Sequence, residues 1–196
     1  MKFKVLLLFL TCLLLSTCSR QKEVHSKEEL LAYLTNPEHG LVQNKKFGDF
    51  DFTISILPAD FFADRLADSV QTLDSLRNRY IYLKLGIAQN STEVLKANAS
   101  DRQKFTELLQ VFIGYMRDVV VLRDEEGNTL QAIDYNYSRS FHLADQTDFL
   151  FVFNKEDFLK GEEIDLLIKN IGIGFTDQVF SIKSDHIRSI PLLAKK

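Results

Sequence analysis

The stretch FGDFDFTISIL, residues 47–57, alternates apolar and polar side chains with a period of two. Its apolar positions are Phe50, Phe52, Ile54 and Ile56, and its polar positions are Asp49, Asp51, Thr53 and Ser55. Successive side chains of a β-strand point to opposite faces of the sheet, so this period predicts a strand with one buried and one solvated face. Pro58 follows directly and closes the strand. Such one-sided strands are typical of antiparallel sheets.

Further segments continue the β-rich pattern. Residues 80–87 alternate in the same way, and FLFVF at 149–153 is apolar on both faces, which predicts a central strand. Residues 119–137 predict a hairpin around the turn DEEGN. Residues 164–183 predict a second hairpin, whose turn contains Gly172 and Gly174. Together these segments predict about seven strands.

Two or three helices are expected between the early strands. Ser26 and Glu29 form a capping box, in which each side chain satisfies a backbone amide at the start of a short helix. Residues 60–78 and 105–116 carry apolar side chains at helical spacing. Ser100 and Gln103 predict a second capping box before the later of these two helices.

The order of these elements predicts a mainly β fold with inserted helices. We favour an immunoglobulin-like antiparallel β-sandwich, because hairpin-paired strands bury one face against a second layer. An α+β open sheet covered by helices is the alternative. Strands and helices do not alternate regularly enough along the chain for a doubly wound parallel sheet.

The first residues carry the pattern of an export signal. Lys2 and Lys4 precede an uncharged run from Val5 to Leu15, and small polar residues then lead to Cys18. A membrane-spanning helix needs about 20 consecutive apolar residues. The run is shorter than that, so the segment is expected to start export and to be removed.

Leu15-Ser16-Thr17-Cys18 resembles the lipobox of bacterial lipoproteins. The resemblance implies a diacylglyceryl group on the Cys18 sulfur and cleavage just before this residue. It implies a signal peptide over residues 1–17. The polar residues that follow predict a lipidated flexible tether over 18–26, and because no Pro-, Gly- or Ser-rich linker divides the remainder, one globular domain is expected over 27–196. Ser19, where some lipoproteins have Asp, implies the outer membrane of a Gram-negative cell envelope, with the periplasmic face or the cell surface left open. A secreted protein cut elsewhere is the alternative.

Charge and cysteine content exclude several functions. The chain has a formal net charge of −3, and its leader contains Lys2 and Lys4 but no acid, so the remaining body is more acidic still. Such a body has no basic surface for nucleic acid. Cys12 would leave with the leader and Cys18 would carry lipid. The mature body would then have no thiol for a disulfide, a catalytic cysteine or a thiolate metal site.

Two sequence matches point to ligand sites, but ordinary structure explains both. Gly172 and Gly174 match the first two glycines of a dinucleotide-binding fingerprint, but Asp177 stands in place of the third. A turn that needs positive φ accounts for these glycines. Asp134, Asn136 and Ser138 have the first three ligand offsets of a calcium-binding loop. Because tyrosines alternate with them, strand patterning is the better interpretation.

Two clusters of side chains are weaker candidates. His142 with Asp145 and Asp148 is the best available metal-ligand group. Asp49 and Asp51 would share a strand face at about 7 Å, within the range of an acid–base pair. We expect a solvated face in the second case. The sequence contains neither a G-x-S-x-G elbow nor a phosphate-binding loop, so no catalytic, cofactor-binding or metal-ligating residue is assigned.

The sequence therefore predicts a lipid-anchored, non-catalytic envelope protein that binds a protein or a glycan. The alternatives are a carrier of a small apolar ligand, suggested by 16 phenylalanines, and an envelope hydrolase using Asp49 and Asp51. The tyrosines are expected either to form a contact surface or to pack as cross-strand pairs. They are Tyr80, Tyr82, Tyr135 and Tyr137.

Overall fold

The alternating stretch forms a strand in the computed structural model, which describes residues 22–63, 70–138 and 144–194. This strand begins at Phe50, later than the pattern predicts, because Phe47 ends the preceding strand and Gly48 and Asp49 form the turn. Gly48 has φ 57°, a left-handed conformation that glycine adopts without steric cost. From Phe50 onward the predicted apolar positions are buried and the polar ones are half-buried.

Twelve strands lie within the described residues. They are β1 (Glu23–Val24), β2 (Val42–Phe47), β3 (Phe50–Pro58), β4 (Tyr80–Gln89), β5 (Thr92–Glu93), β6 (Val120–Arg123), β7 (Thr129–Gln131), β8 (Asp134–Ser138), β9 (Thr147–Asn154), β10 (Glu163–Ile168), β11 (Gln178–Lys183) and β12 (Leu192–Leu193).

The helices in the same described ranges are α1 (Lys27–Thr35), α2 (Val70–Arg79), α3 (Val94–Ala97), α4 (Arg102–Gly114), α5 (Met116–Val119), α6 (Lys155–Leu159) and α7 (Ser184–Arg188). Two 3₁₀ turns cover Pro37–His39 and Ala59–Phe62. Within this part of the chain, no helix is both long and apolar enough to cross a membrane.

The longer strands form two antiparallel sheets. The first has the order β2-β3-β4-β9-β8, with β5 added to β4, and the second has the order β11-β10-β6-β7. A separate parallel pair joins β1 and β12. The mainly β class with inserted helices is therefore confirmed. The central position of the FLFVF strand is also confirmed, since β9 lies between β4 and β8.

The prediction of one hairpin over residues 119–137 is wrong in its second half. β7 pairs with β6 in the second sheet, but β8 pairs with β9 in the first sheet. The chain crosses between the sheets at Ala132 and Ile133. The Ala132 carbonyl accepts a 2.9 Å hydrogen bond from Nε of Arg117, and the Ile133 amide donates to the Val152 carbonyl at 2.8 Å. These bonds satisfy the backbone where strand pairing changes.

The opposite edges of the two sheets meet through side chains. Nε2 of Gln43 in β2 donates to the carbonyl of Ser181 in β11 at 2.8 Å. Two residues along, Nζ of Lys45 donates to the Val179 carbonyl at 3.4 Å and lies 5.8 Å from the ring centroid of Phe180. The unpaired carbonyls of the β11 edge are thereby covered, which limits pairing with other chains.

Phenylalanines from both sheets and from α4 fill one hydrophobic core. The Phe149 ring in β9 lies 5.1 Å from that of Phe112 in α4 and 5.3 Å from that of Tyr137 in β8, between centroids. The loop between β10 and β11 inserts Phe175, whose ring meets those of Phe50 and Phe52 edge-on at 5.3 and 5.0 Å. Edge-on geometry is the preferred arrangement of aromatic pairs.

The predicted N-cap is found at the start of α1 but not at the start of α4. The Ser26 hydroxyl accepts from the Glu29 amide at 3.1 Å, so the predicted Ser26 cap is confirmed. The Glu29 carboxylate accepts at 2.8 Å from the amide of His25, one residue before the cap, instead of from the Ser26 amide that a capping box uses. The predicted Ser100 cap of α4 is wrong. Asp101 is the N-cap and accepts from the Lys104 amide at 3.0 Å. Its carboxylate suits a helix N-terminus through the helix dipole. Residues 64–69 of the predicted 60–78 helix lie outside the described ranges.

Candidate functional site

A buried ion pair is the main concentration of charge in the interior of the described structure. Asp60 lies in the 3₁₀ turn just after Pro58 ends β3, and Arg77 lies near the end of α2. Only 1% of Asp60 and 8% of Arg77 is exposed. Nε of Arg77 donates to Oδ1 of Asp60 at 2.8 Å, and Nη2 donates to the same oxygen. Buried charges need such partners, because their transfer out of water is costly.

The same ion pair holds the backbone of β12. Nη2 of Arg77 donates to the Leu193 carbonyl at 2.9 Å, and the Leu193 amide donates to Oδ1 of Asp60 at 3.2 Å. Nη1 of Arg77 pairs with the half-exposed Asp74 at 2.9 Å. Burial alone would lower the pKa of Arg77, but hydrogen bonding to Asp60 and the Asp60 charge raise it above its ordinary value.

Lys155 completes this charge cluster. Its Nζ donates to the Arg77 carbonyl at 3.0 Å, at the C-terminal end of α2. Burial lowers the pKa of Lys155, while the nearby Asp60 carboxylate acts in the opposite direction. The cluster borders a void of about 20 Å³. That volume holds about one water molecule, whereas small-molecule sites usually measure roughly 300–1,000 Å³. The geometry therefore indicates a structural charge cluster.

An acidic cleft lies at the turn between β6 and β7. Its lining residues are Asp124, Glu125, Glu126, Asp157, Lys160, Gly161, Glu163 and Ile164, around about 110 Å³. The Asn128 amide donates to Oδ1 of Asp124 at 2.7 Å, and Nζ of Lys160 lies 3.6 Å from Oδ2 of Asp124. The Asn128 side-chain hydrogen bond is the main cause that lowers the pKa of Asp124. Hydrogen bonds within the β6–β7 turn thus account for the fixed conformation of this turn.

No group of three or more His, Cys, Asp or Glu side chains is placed so that it could hold a metal ion among residues 22–63, 70–138 and 144–194. His142 of the predicted metal group lies outside these ranges. Asp148 is held by Nζ of Lys84 at 3.3 Å and by Nε2 of Gln146 at 2.7 Å. Cys18, the predicted lipid-attachment residue, and the whole leader also lie outside the described ranges.

The predicted acid pair is not formed as expected. Asp49 lies in the β2–β3 turn and Asp51 lies in β3, so the prediction that they share a strand face is wrong. The Asp51 carboxylate pairs with Nζ of Lys46 at 3.2 Å, across the hairpin. Gly48 adopts the positive φ that this turn needs, and Asp49 therefore belongs to the turn and not to β3.

Both matches to ligand-binding motifs have the expected structural explanations. Gly172 and Gly174 have φ 80° and 112° in the loop between β10 and β11, so the interpretation as a glycine turn is confirmed. Oδ1 of Asn170 accepts from the Gly172 amide at 2.7 Å. Asp134, Asn136 and Ser138 are all exposed on one face of β8 while the tyrosines between them are half-buried, which confirms the strand interpretation.

The tyrosines pack within the protein. Tyr135 is paired with Phe151 across β8 and β9, and their rings stack at 5.7 Å; Tyr137 and Phe149 repeat this arrangement at 5.3 Å. Tyr82 is 7% exposed, and its ring lies 4.8 Å from that of Phe62. Of the two interpretations left open by the sequence, these contacts support cross-strand packing.

The Asp60–Arg77 pair was not anticipated from the sequence. The two residues are 17 positions apart, and β12 approaches them from the far end of the chain. The Pro58 that ends β3 is the only local signal near them, and it carries no information about the partner. Contacts of this kind depend on how α2 and the C-terminal segment pack.

Comparisons with known proteins add a single structural likeness. No protein-family model matches the chain, and no curated protein matches it. A crystal structure of a DUF4426 family protein from Pseudomonas aeruginosa aligns over 73% of this chain and 92% of that chain, with 13% sequence identity and a TM-score of 0.37. A likeness at this TM-score supports no statement about function.

Proposed function

We propose that the chain is a lipid-anchored, non-catalytic protein of the cell envelope that binds a protein or glycan partner. The observation that carries the proposal is Cys18, preceded by Leu15-Ser16-Thr17 at the end of the uncharged run Val5–Leu15. Each buried methylene of an acyl chain contributes about 0.8 kcal/mol, and two or more chains hold a protein stably on a bilayer. A folded body could then stay on the membrane without a spanning helix.

The first strand of the described residues lies close in sequence to the attachment residue. β1 begins at Glu23, five residues after Cys18. An extended chain spans at most about 3.6 Å per residue, so this connection reaches roughly 18 Å. A lipid on Cys18 would therefore keep the β1 end of the body near the bilayer surface.

The long strands of the first sheet separate this end from a set of turns. The Pro58 end of β3 adjoins the Asp60–Arg77 pair, which contacts β12 beside β1. The Phe50 end carries the β2–β3 turn, and the Asn90 amide of the β4–β5 turn donates to the Asp49 carbonyl there at 2.7 Å. β3 has nine residues, and a strand rises about 3.3 Å per residue, so the two ends lie roughly 26 Å apart. We infer that these turns face the partner.

Packing and charge pairing favour surface binding over the other two functions. The largest fully buried side chains are mainly phenylalanines, and their rings contact one another at the centre of the core. Such packing fills the space that an apolar ligand would need. The Asp51 carboxylate is engaged by Nζ of Lys46 at 3.2 Å, which supports a solvated, charge-paired face in place of an acid–base pair.

Membrane attachment is tested by replacing the attachment residue. We expect Cys18→Ser to abolish incorporation of radioactive palmitate and to move the protein from the membrane fraction to the soluble fraction of lysed cells. Cys12→Ser is the matched control, because it removes the other cysteine of the leader, and it should label like the wild type. Equal labelling of wild type and Cys18→Ser would contradict lipid attachment at this residue.

Partner binding is tested at the two ends of the first sheet. Phe47, 37% exposed, precedes the β2–β3 turn, whereas Glu23 is exposed on β1 at the other end. A photo-crosslinking amino acid at position 47 should trap one reproducible protein or glycan conjugate on intact cells, and the same group at position 23 should not. A failure to trap any reproducible conjugate from position 47 would count against the partner-facing end.

A further inference from the structure

The two sides of β12 have different partners. On one side, β12 pairs in parallel with β1: the Leu192 amide donates to the Lys22 carbonyl at 2.9 Å, and the Ala194 amide donates to the Val24 carbonyl at 2.8 Å. Each strand of this terminal strand pair has only two residues. Such a short pair is not stable by itself in water, so it needs support from the rest of the fold.

On its other side, β12 contacts the Asp60–Arg77 pair. The Leu193 amide donates to Asp60 and the Leu193 carbonyl accepts from Arg77, at 3.2 and 2.9 Å. Both backbone polar groups of this residue are thus bound by one ion pair. The two side chains occupy the place that a neighbouring strand would take in a sheet.

The ion pair is itself fixed to the core. Asp60 lies just after β3, which pairs with β4 along its whole length. Arg77 lies near the C-terminal end of α2. Lys155 is the first residue of α6 and directly follows β9. Its Nζ donates to the Arg77 carbonyl. Asp60 and Arg77 therefore connect the central strands of the first sheet to a segment at the C-terminus.

We propose that the Asp60–Arg77 pair is a lock that holds both ends of the folded body: it binds β12, and β12 holds β1. Opening the lock releases the terminal strand pair while the two sheets stay folded. The release of the N-terminal side ends at Ser26, because the Ser26 hydroxyl caps α1 independently of the lock. This inference concerns the fold alone and does not depend on lipid attachment or on a partner.

The released segment would change the reach of the N-terminal connection. With the lock closed, the Lys22 carbonyl is bound by β12, whereas with the lock open the ordered chain begins at Ser26. The four additional residues, 22–25, would add up to about 14 Å to the reach of the chain before Ser26. The lock thus sets the position of β1. It also sets how far the folded body can move from an attachment point in the chain before β1.

The first test replaces the carboxylate. Hydrogen–deuterium exchange by NMR on the purified full chain would follow the amides of Leu192 and Ala194, which donate to β1, and those of Leu83 and Leu85 in β4. In Asp60→Asn, we expect the Leu192 and Ala194 amides to lose nearly all their protection, while the Leu83 and Leu85 amides of the same sample stay strongly protected. Asp74→Asn is the matched control, since it removes the other carboxylate on Arg77 without touching Leu193, and it should spare the β12 amides.

A second pair of variants leaves the ion pair in place. Leu193→Pro removes the backbone N–H group that donates a hydrogen bond to Asp60. Leu193→Ala keeps this N–H group and removes only side-chain packing. We expect Leu193→Pro to expose the amides of Leu192 and Ala194 as Asp60→Asn does, and Leu193→Ala to change them less. The proposal is overturned if the β12 amides keep their protection in both Asp60→Asn and Leu193→Pro. It is also overturned if the β12 amides lose their protection only together with the β4 amides, so that no variant exposes β12 while β4 stays protected, since the pair would then act only on global stability.

Discussion

Replacing Phe149 with alanine is expected to lower the free energy of unfolding by about 3–5 kcal/mol, the usual cost of truncating a buried phenylalanine. Phe149 is 1% exposed and lies between the rings of Phe112, Tyr137 and Phe151. It joins α4 to the first sheet, so the cavity is bordered by several elements that cannot all move inward. Urea unfolding, monitored by circular dichroism, measures the loss.

Val152→Ala is the control for this substitution. Val152 is half-buried on the other face of the same strand, β9. Removal of its methyl groups should cost about 1 kcal/mol, since each methylene-sized group that is fully buried contributes about 0.8 kcal/mol. Equal losses in the two variants would show that the ring contacts of Phe149 add nothing, and the proposed centre of the core would be wrong.

Asp60→Leu is expected to cost about 3–5 kcal/mol in the free energy of unfolding, because it removes the buried counter-charge of Arg77 and leaves only the half-exposed Asp74 to pair with it. The Leu193 amide also loses its acceptor. Leucine is apolar and cannot replace either interaction. Urea unfolding of the purified protein gives the magnitude.

The double variant Asp60→Leu/Arg77→Met separates the two causes of this loss. Buried ion pairs can often be replaced by apolar residues of similar volume with little net loss of stability. We therefore expect the double variant to be more stable than Asp60→Leu alone, with a coupling energy of at least about 1 kcal/mol. Two losses that simply add would mean that the charges do not interact, contrary to the 2.8 Å contact between Nε and Oδ1.

Local patterns predicted much of the fold. The period of two in residues 50–57 identified the buried face of β3, and FLFVF identified a strand with neighbours on both sides. Ser26 identified the start of α1, because capping depends on residues three positions apart. Gly172 and Gly174 identified a turn, because their φ values exclude most other residues.

The wrong predictions concern places where neighbouring residues fit the same local pattern. Ser100 and Asp101 are adjacent possible caps, and the second is the N-cap of α4. The Gly48–Asp49 turn lies inside an unbroken alternating pattern, so the strand appeared to begin too early. The alternation of Tyr135 and Tyr137 predicted a strand, but only its pairing with β9 placed their rings on Phe151 and Phe149.

The sequence by itself determined the positions and buried faces of the longer alternating strands and the glycine turn at Gly172 and Gly174, because these properties depend on side chains within a few positions of one another. Only the tertiary structure decided that the chain changes sheets at Ala132 and Ile133, and that Asp60 and Arg77 bind the backbone of Leu193. Side-chain periodicity records burial but not the identity of the neighbour. Contacts between residues far apart in the chain therefore become defined only when the sheets and helices pack.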